Sequence, residues 1–490
     1  MLRMTLPSEK PMISTGHGSC RVAIIGGGFA GASLARQLAI GAGWDNQQIA
    51  VFEPRASLGA GLAYDTADPA LRLNVEASRM RAIPGEPDAF VRWLELSGTK
   101  EADPGSQVCS GSIYARRSDF GRFMAERMQP FLDRGIVRHV QERVERITRS
   151  GPRWRVTGNR GTEIVADIVV VATSHPRPKA PGMIAQALNG HPRFITDPSR
   201  TDLLAHIRPD QRVFVLGAGL TAFDVVASLR SRGHTGRIVA FSRSGLLPQP
   251  QVGGALAPTG NFVNPPATSA LGLLRRVRLA IAEAERSGLP WQSVFDALRQ
   301  QGQTIWQALP HHEQTRFLRH LRRRFETHRY RMPPQVAELI AQDMRNGDLV
   351  AQAGRICRVE RAPDAISIDL IVKPDGVVER QAFEWVVVAT GPDHTAAIGS
   401  QPYLAELDRQ GFLKADEHGL GIACDRESRA IGLDGHPTEG LFIAGPLARG
   451  TFGELTGVPE IAAQCENIAR RIIETVNGCR PGCRPMMHHS

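Results

Sequence analysis

The chain has 490 residues, 42% hydrophobic and 22% charged, enough for two or three globular domains and unlike a disordered or fibrous protein. Its 59 Lys and Arg against 49 Asp and Glu leave a net charge of +10. The arginines are spread along the chain with no basic tail or aromatic-interleaved ribbon, so nucleic acid is not an expected partner.

Residues 1–19 lack the apolar core of a secretory signal. A buried-strand run, VAII (22–25), meets Gly26, Gly28 and Gly31 and then an apolar-periodic helix. The next strand, QIAVFEP (48–54), ends around Glu53. DIVVVATSHPRP (167–178) is a continuous β-branched run of the kind buried in parallel sheets, and it stops at Ala-Thr. VFVL (213–216) repeats the opening plan with Gly217, Gly219 and Ala222, and GRIVAFSR (236–243) supplies its second strand. The apolar stretch 213–229 contains both glycines and Asp224, so it reads as strand, turn and helix rather than a membrane span.

A Pro- and Gly-rich loop (247–268) leads into helical patterns between 270 and 345. They include the basic RFLRHLRRRFETHRYR (316–331), where His328, Arg329 and Arg331 are read either as cleft-lining or as a solvated face. EWVVVATGPD (384–393) copies the Ala-Thr ending, and GLFIAGP (440–446) leads into the last helix (459–476). Seven cysteines, odd in number and widely spaced, argue against a disulfide framework and point to the cytoplasm. Cys479 and Cys483 form a terminal CxxxC, either a redox or metal pair or two thiols in a frayed tail. No metal site is expected. The fold class expected is α/β with two Rossmann-like dinucleotide-binding domains. The first is discontinuous, 1–205 plus 380–490. The second, 206–380, is inserted in it and carries a helical insertion over about 270–345.

In each glycine turn the first glycine permits the turn, the second lets backbone approach a pyrophosphate, and the third lets helix pack on strand. The helix N-terminus adds free N–H groups and partial positive charge. Strand-end residues separate the ligands. Glu53 suits an unmodified ribose and repels a 2′-phosphate, so the first turn reads as FAD or NAD. Ser242 and Arg243 suit a 2′-phosphate, so the second reads as NADPH, with NADH still possible. One chain carrying both would be a flavoprotein reduced by NADPH.

At this point the residues resemble the bacterial FAD–NAD(P)-binding protein family, related to class B flavoprotein monooxygenases, including N-hydroxylating enzymes. The resemblance runs over almost the whole chain. It includes GAGLAYDTADPALRLNVEASRM (59–80), GLTAFDVVASL (219–229), FSRSGLLP (241–248), HRYRMPPQVAELI (328–340) and AGPLARGTFGELTGVPEI (444–461). It implies that Gly26, Gly28, Gly31 and Glu53 hold the FAD adenosine and pyrophosphate. Gly61, Tyr64 and Asn74 would lie along the flavin side, and Gly445 and Pro446 would close on the isoalloxazine end. Gly217, Gly219, Thr221, Ala222, Ser242 and Arg243 would bind NADPH, with Thr390 and Gly391 at the crossover between domains. The Phe-x-Gly fingerprint of ketone-oxygenating relatives is absent; GHPRFITDP (190–198) stands in that region. Gly453 replaces a bulky aromatic and is expected to enlarge a pocket near the flavin.

The activity so implied is an FAD- and NADPH-dependent monooxygenase. It would oxidise a nitrogen of a small polar substrate through a flavin C4a-(hydro)peroxide, with molecular oxygen as co-substrate. Asn74 and Glu454 are the candidate catalytic residues; a turn or capping Asn and a helix-start carboxylate are the plainer readings. Arg449 is read as an anion-binding or a surface arginine. His175 and His394 each follow an Ala-Thr end. Two alternatives stay open: an NAD(P)H-dependent flavin oxidase or reductase making peroxide or serving a partner, and a non-enzymatic nucleotide sensor. Nothing in the sequence bears on oligomeric state.

Overall fold

The computed structural model describes residues 17–44, 47–254 and 256–478; Cys479 and Cys483 lie outside the described residues. Strands β1 (His17–Ile25), β2 (Ile49–Phe52), β3 (Val137–Val140), β4 (Val144–Ser150), β5 (Arg153–Gly158) and β6 (Glu163–Val171) open a first sheet. Strands β7 (Phe194–Ile195), β8 (Val213–Leu216), β9 (Ile238–Ser242), β10 (Leu349–Arg361), β11 (Ile366–Val372), β12 (Val377–Phe383) and β13 (Trp385–Val388) form a second. β14 (Arg429–Ile431) and β15 (Pro437–Ile443) return to the first.

The first sheet runs β15–β6–β1–β2–β3, all parallel. Its continuous apolar runs follow from burial on both faces: Val22, Ile24, Val51 and Val170 are wholly inaccessible. The second sheet runs β10–β9–β8–β13–β7 in parallel, and β10, β11 and β12 continue it as an antiparallel meander.

The divisions expected at 205 and 380 do not follow the sheets. β13 lies between β8 and β7 in the second sheet, although its place in the sequence groups it with the first domain. Val386, Val387 and Val388 are wholly buried there, and Ile195 and Leu204 share a core with Val213. The chain passes between sheets twice, just after β6 and just after β13. Pro178 and Pro392 pair as an antiparallel bridge where the two passages meet. By sheet membership the second unit runs from Pro178 to Pro392.

The helical insertion is also shorter than expected. Helices Ala270–Arg286, Gln292–Gln300, Gly302–Ala308 and Arg322–Arg329 share their own core, which includes Leu273, Val294, Phe295 and Ile305, and the helix His311–His320 joins them through Phe317, whose ring packs on Phe325. The helix Pro334–Asn346 instead buries Val336 and Ile340 in the core of the second sheet. Ion pairs hold the insertion to the first domain: Arg79 to Asp296 at 2.7 Å and Arg299 to Glu460 at 2.7 Å, both part-buried, and Arg329 to Glu454 at 2.8 Å, buried. Arg331 is also buried, on Asp296. The basic run is therefore not simply a solvated face.

Candidate active site

The first glycine turn joins β1 to the helix Phe29–Gly41. Gly26 has φ +100°, and a Cβ on Gly31 would lie 1.9 Å from the Gly26 carbonyl oxygen, so only hydrogen fits there. Gly61 packs on Gly28: a Cβ on Gly61 would lie 2.7 Å from the Gly28 Cα. No side chain caps the helix, and no acidic residue stands in its first turn. Its free N–H groups and partial positive charge stay available for a pyrophosphate. Just past the end of β2, buried Glu53 accepts hydrogen bonds from Gly27 N–H at 3.0 Å and from the Arg55 guanidinium at 3.0 Å. A carboxylate so fixed fits a ribose diol. Tyr64 packs edge-on against Phe120, with ring centroids 4.6 Å apart. Gly445 (φ +74°) donates its N–H to Gln464 Oε1 at 2.8 Å, and a Cβ on it would meet Ala30 of the first helix at 3.0 Å. Gly445 and Pro446 thus sit over the same helix start.

The second turn joins β8 to the helix Leu220–Ser231, whose first turn holds Thr221 and buried Ala222 and which has no side-chain cap. Gly217 (φ +139°) lies against the Ala389 carbonyl, 2.1 Å from where a Cβ would stand. A Cβ on Gly219 would meet nothing, so packing does not demand that glycine and the space above the turn is open. Ser242 ends β9 and accepts the Gly245 N–H at 3.0 Å. Arg243 is exposed, and Lys373 donates to its carbonyl at 3.1 Å. Two cations therefore stand at this strand end. The sequence reading missed Lys373, which lies far along the chain and in no motif.

The two interdomain passages bring Thr390, Gly391, His175 and His394 together. Thr390 donates to the Lys179 carbonyl at 3.1 Å, and Gly391 has φ +82°. The rings of His175 and His394 meet edge to face with centroids 5.0 Å apart. Burial, then His394, Arg449 and Arg322, hold His175 down to about 3. Burial, then Arg449 and Arg322, hold His394 down to about 4 against the pull of Glu326 and Asp393. Both rings are neutral at neutral pH, and both Nδ1 atoms are buried without a hydrogen-bond partner. Such a pair fits a site completed by a bound group.

Glu454 is buried, receives Arg329 at 2.8 Å and faces a cavity of about 630 Å³ lined largely by the helical insertion. Arg449, at the same wall, is mostly buried and donates to the Gly453 carbonyl at 3.3 Å. It is no surface arginine. Gly453 does not enlarge the space near it. Its φ is +69°, and a Cβ there would lie 2.5 Å from Cγ of Trp306, whose indole N–H donates to the Gly450 carbonyl at 2.8 Å. The glycine admits an aromatic ring from another segment. Asn74 is not among the residues lining this cavity; its carbonyl accepts from Gln251 at 2.8 Å, where the first domain meets the loop before the helical insertion.

All five described cysteines are free. Burial pushes the thiols of Cys20, Cys424 and Cys465 up to about 12, so none is a ready nucleophile. Among the described residues no group of three His, Cys, Asp or Glu could hold a metal, and no helix is long and apolar enough to cross a membrane.

Residues 23–176 match a family model described as FAD-NAD(P)-binding. No curated protein sequence matches the chain. Solved structures match over nearly all of it. Ornithine hydroxylase from Pseudomonas aeruginosa is 16% identical with a TM-score of 0.62, over 94% of this chain and all of that one. L-lysine 6-monooxygenase from Pseudomonas syringae is 18% identical with a TM-score of 0.62, over 93% of this chain and all of that one. Ornithine N-hydroxylase from Kutzneria sp. 744, solved with reduced FAD, NADP+ and L-ornithine, is 18% identical with a TM-score of 0.59, over 94% of this chain and all of that one. The chain therefore carries an FAD-NAD(P)-binding domain at residues 23–176, on the fold of the ornithine and lysine monooxygenases.

Proposed function

We propose that the chain is an FAD-dependent, NADPH-using monooxygenase that oxidises a nitrogen of a small-molecule substrate. The observation that supports this most is the pairing of two unlike nucleotide cradles. One has buried Glu53 at its strand end, the other has Arg243 and Lys373. Nitrogen is favoured by the fold shared with N-hydroxylases and by the missing ketone-oxygenase fingerprint.

Bound FAD would supply hydride acceptance and oxygen activation. The balanced reaction is R–NH2 + O2 + NADPH + H+ giving R–NHOH + H2O + NADP+. The protein's part is binding, orientation and exclusion of water. The free N–H groups at the start of the helix Phe29–Gly41 hold the FAD pyrophosphate, and Glu53 takes its ribose. The Leu220–Ser231 helix start and Arg243 hold the phosphates of NADPH. Neutral His175 and His394 offer hydrogen bonds without adding charge at the crossing. Trp306 and its neighbours keep water from the inner wall at Gly453. The high thiol values of the buried cysteines speak against a dithiol–disulfide route.

The test is rapid mixing of the NADPH-reduced holoprotein with oxygen in the presence of candidate amines. Hydroxylamine formed in step with NADPH consumed supports the proposal. Immediate reoxidation with stoichiometric hydrogen peroxide, whatever amine is present, replaces it with an oxidase. A chain that holds no flavin and oxidises no NADPH is a nucleotide sensor.

A further inference from the structure

The cavity beside Glu454 has the wrong walls for a small polar amine. It is about 630 Å³, within the range of small-molecule sites. Its sides are the inward faces of the insertion helices. Leu273, Phe295, Leu298 and Ile305 are buried in them, and Trp291 is half-buried. Val277, Ile281, Phe317, Leu318 and Phe325 are only half-buried. Half-buried apolar side chains that face one cavity are costly when water fills it, at roughly 25 cal/mol for each Å² left wet. They are covered without penalty only by an apolar occupant.

The polar residues of the wall are not scattered. Arg278, Glu285, His320 and Arg324 are exposed on its rim. Arg322, Glu326, Arg449 and Glu454 are less exposed and form an inner cluster, tied by Arg322 to Glu326 at 2.8 Å and Arg449 to Glu326 at 3.7 Å. This inner cluster adjoins Gly453, in the segment that follows the Gly445–Pro446 turn, and its cations reach the His175–His394 pair. The cavity thus joins an exposed charged rim, apolar walls and a less exposed polar cluster beside the candidate flavin turn.

We infer that this cavity is the substrate pocket and that the substrate is an amine with a long hydrocarbon body. The body lies among the insertion helices. The nitrogen lies at the inner cluster, where the carboxylates of Glu326 and Glu454 accept its N–H groups. This rests on the monooxygenase reading above and replaces the small polar substrate expected from sequence. It also accounts for the five-helix insertion, which neither nucleotide cradle needs.

The experiment measures binding of straight-chain primary amines, from butylamine to dodecylamine, to the FAD-loaded protein by calorimetry. Cadaverine, lysine and decanoate serve as comparisons, and NADPH-coupled hydroxylamine formation is followed in parallel. Affinity rises about threefold to fourfold per methylene until the cavity is filled, and cadaverine and lysine bind far more weakly than decylamine. Val277→Lys, at a half-buried wall position, flattens that dependence. Ile281→Ala shifts the best chain length upward, and it keeps the test decisive if the lysine variant fails to fold. Equal affinity along the series, tighter binding of cadaverine or of decanoate, or an unchanged series in both variants overturns the inference. Chain-length-dependent binding without hydroxylamine keeps the pocket and overturns the monooxygenase reading. Turnover of lysine or cadaverine with no chain-length dependence does the reverse.

Discussion

The Trp306 ring occupies the place where a side chain on Gly453 would stand, with its Cγ 2.5 Å from the position of a Cβ. The contact joins the helical insertion to the segment after Gly445 and Pro446, and the indole hydrogen bond to Gly450 fixes its angle. Gly450 is restricted in the same way, since a Cβ there would lie 2.5 Å from Asp416.

Gly453→Ala adds a methyl group where φ is +69° and where the indole already stands. The left-handed backbone costs roughly 1–2 kcal/mol and overpacking a further 1–3 kcal/mol. Denaturant unfolding of the holoprotein is expected to show a loss of at least about 2 kcal/mol. A loss below about 0.5 kcal/mol would mean that Trp306 moves freely and does not depend on this glycine.

Glu454 and Arg329 are a buried pair, and each side chain is at most 7% exposed. Removing one partner strands the other charge, at about 3–5 kcal/mol. Glu454→Gln and Arg329→Met should each destabilise the protein on that scale, and the double variant by clearly less than the sum. Additive losses in thermal or chemical unfolding would show that the two act independently.

The fold holds His175 down to about 3 and His394 down to about 4, against an ordinary 6.5. Each ring therefore binds fewer protons folded than unfolded. The stability this protects is complete above about pH 6.5 and is lost as pH falls from there through about 4 and then 3, at up to about 1.4 kcal/mol per pH unit for each ring. Melting temperatures should drop steeply across that window. The drop should be shallower with His175→Asn and His394→Asn together. An identical slope in that variant would assign the acid loss to the carboxylates.

Arg243→Ala should lower kcat/KM with NADPH by about tenfold or more and leave NADH nearly unchanged, because a charge-assisted hydrogen bond to phosphate is worth about 1.5–3 kcal/mol. Lys373→Ala should have the same sign and a smaller size, its ammonium being already engaged by the Arg243 carbonyl. Equal effects on both nucleotides would remove the 2′-phosphate assignment.

Local features were readable in the sequence because their causes are local. The β-branched runs 22–25, 213–216 and 385–388 became buried parallel strands. Gly26, Gly31 and Gly217 sit where a turn or a close approach requires glycine. What escaped depends on distant partners. Arg331 stands in a run of basic residues and looks solvated until Asp296 meets it. Gly453 looks like a vacancy until Trp306 enters from another helix. The apolar spacing of the insertion helices is the same whether their inward faces close on each other or on a cavity, so periodicity could not reveal the pocket. The Ala-Thr ending of β13 looked like a first-domain strand because its twin after β6 is one, and only pairing with β8 and β7 assigns it.

The Pro178–Pro392 bridge places both covalent links to the second unit side by side. Alone, such a double strap would leave that unit free to swing about one axis. Away from the strap, however, Arg117 grips Asp224 at 2.8 Å, Arg232 grips Asp68 at 2.9 Å, and the insertion is pinned through Asp296 and Glu460. The unit is a door with both its hinge and its latch engaged. Opening it would break several part-buried ion pairs at once. The open face above Gly219 is left as an approach to that turn that breaks none of them.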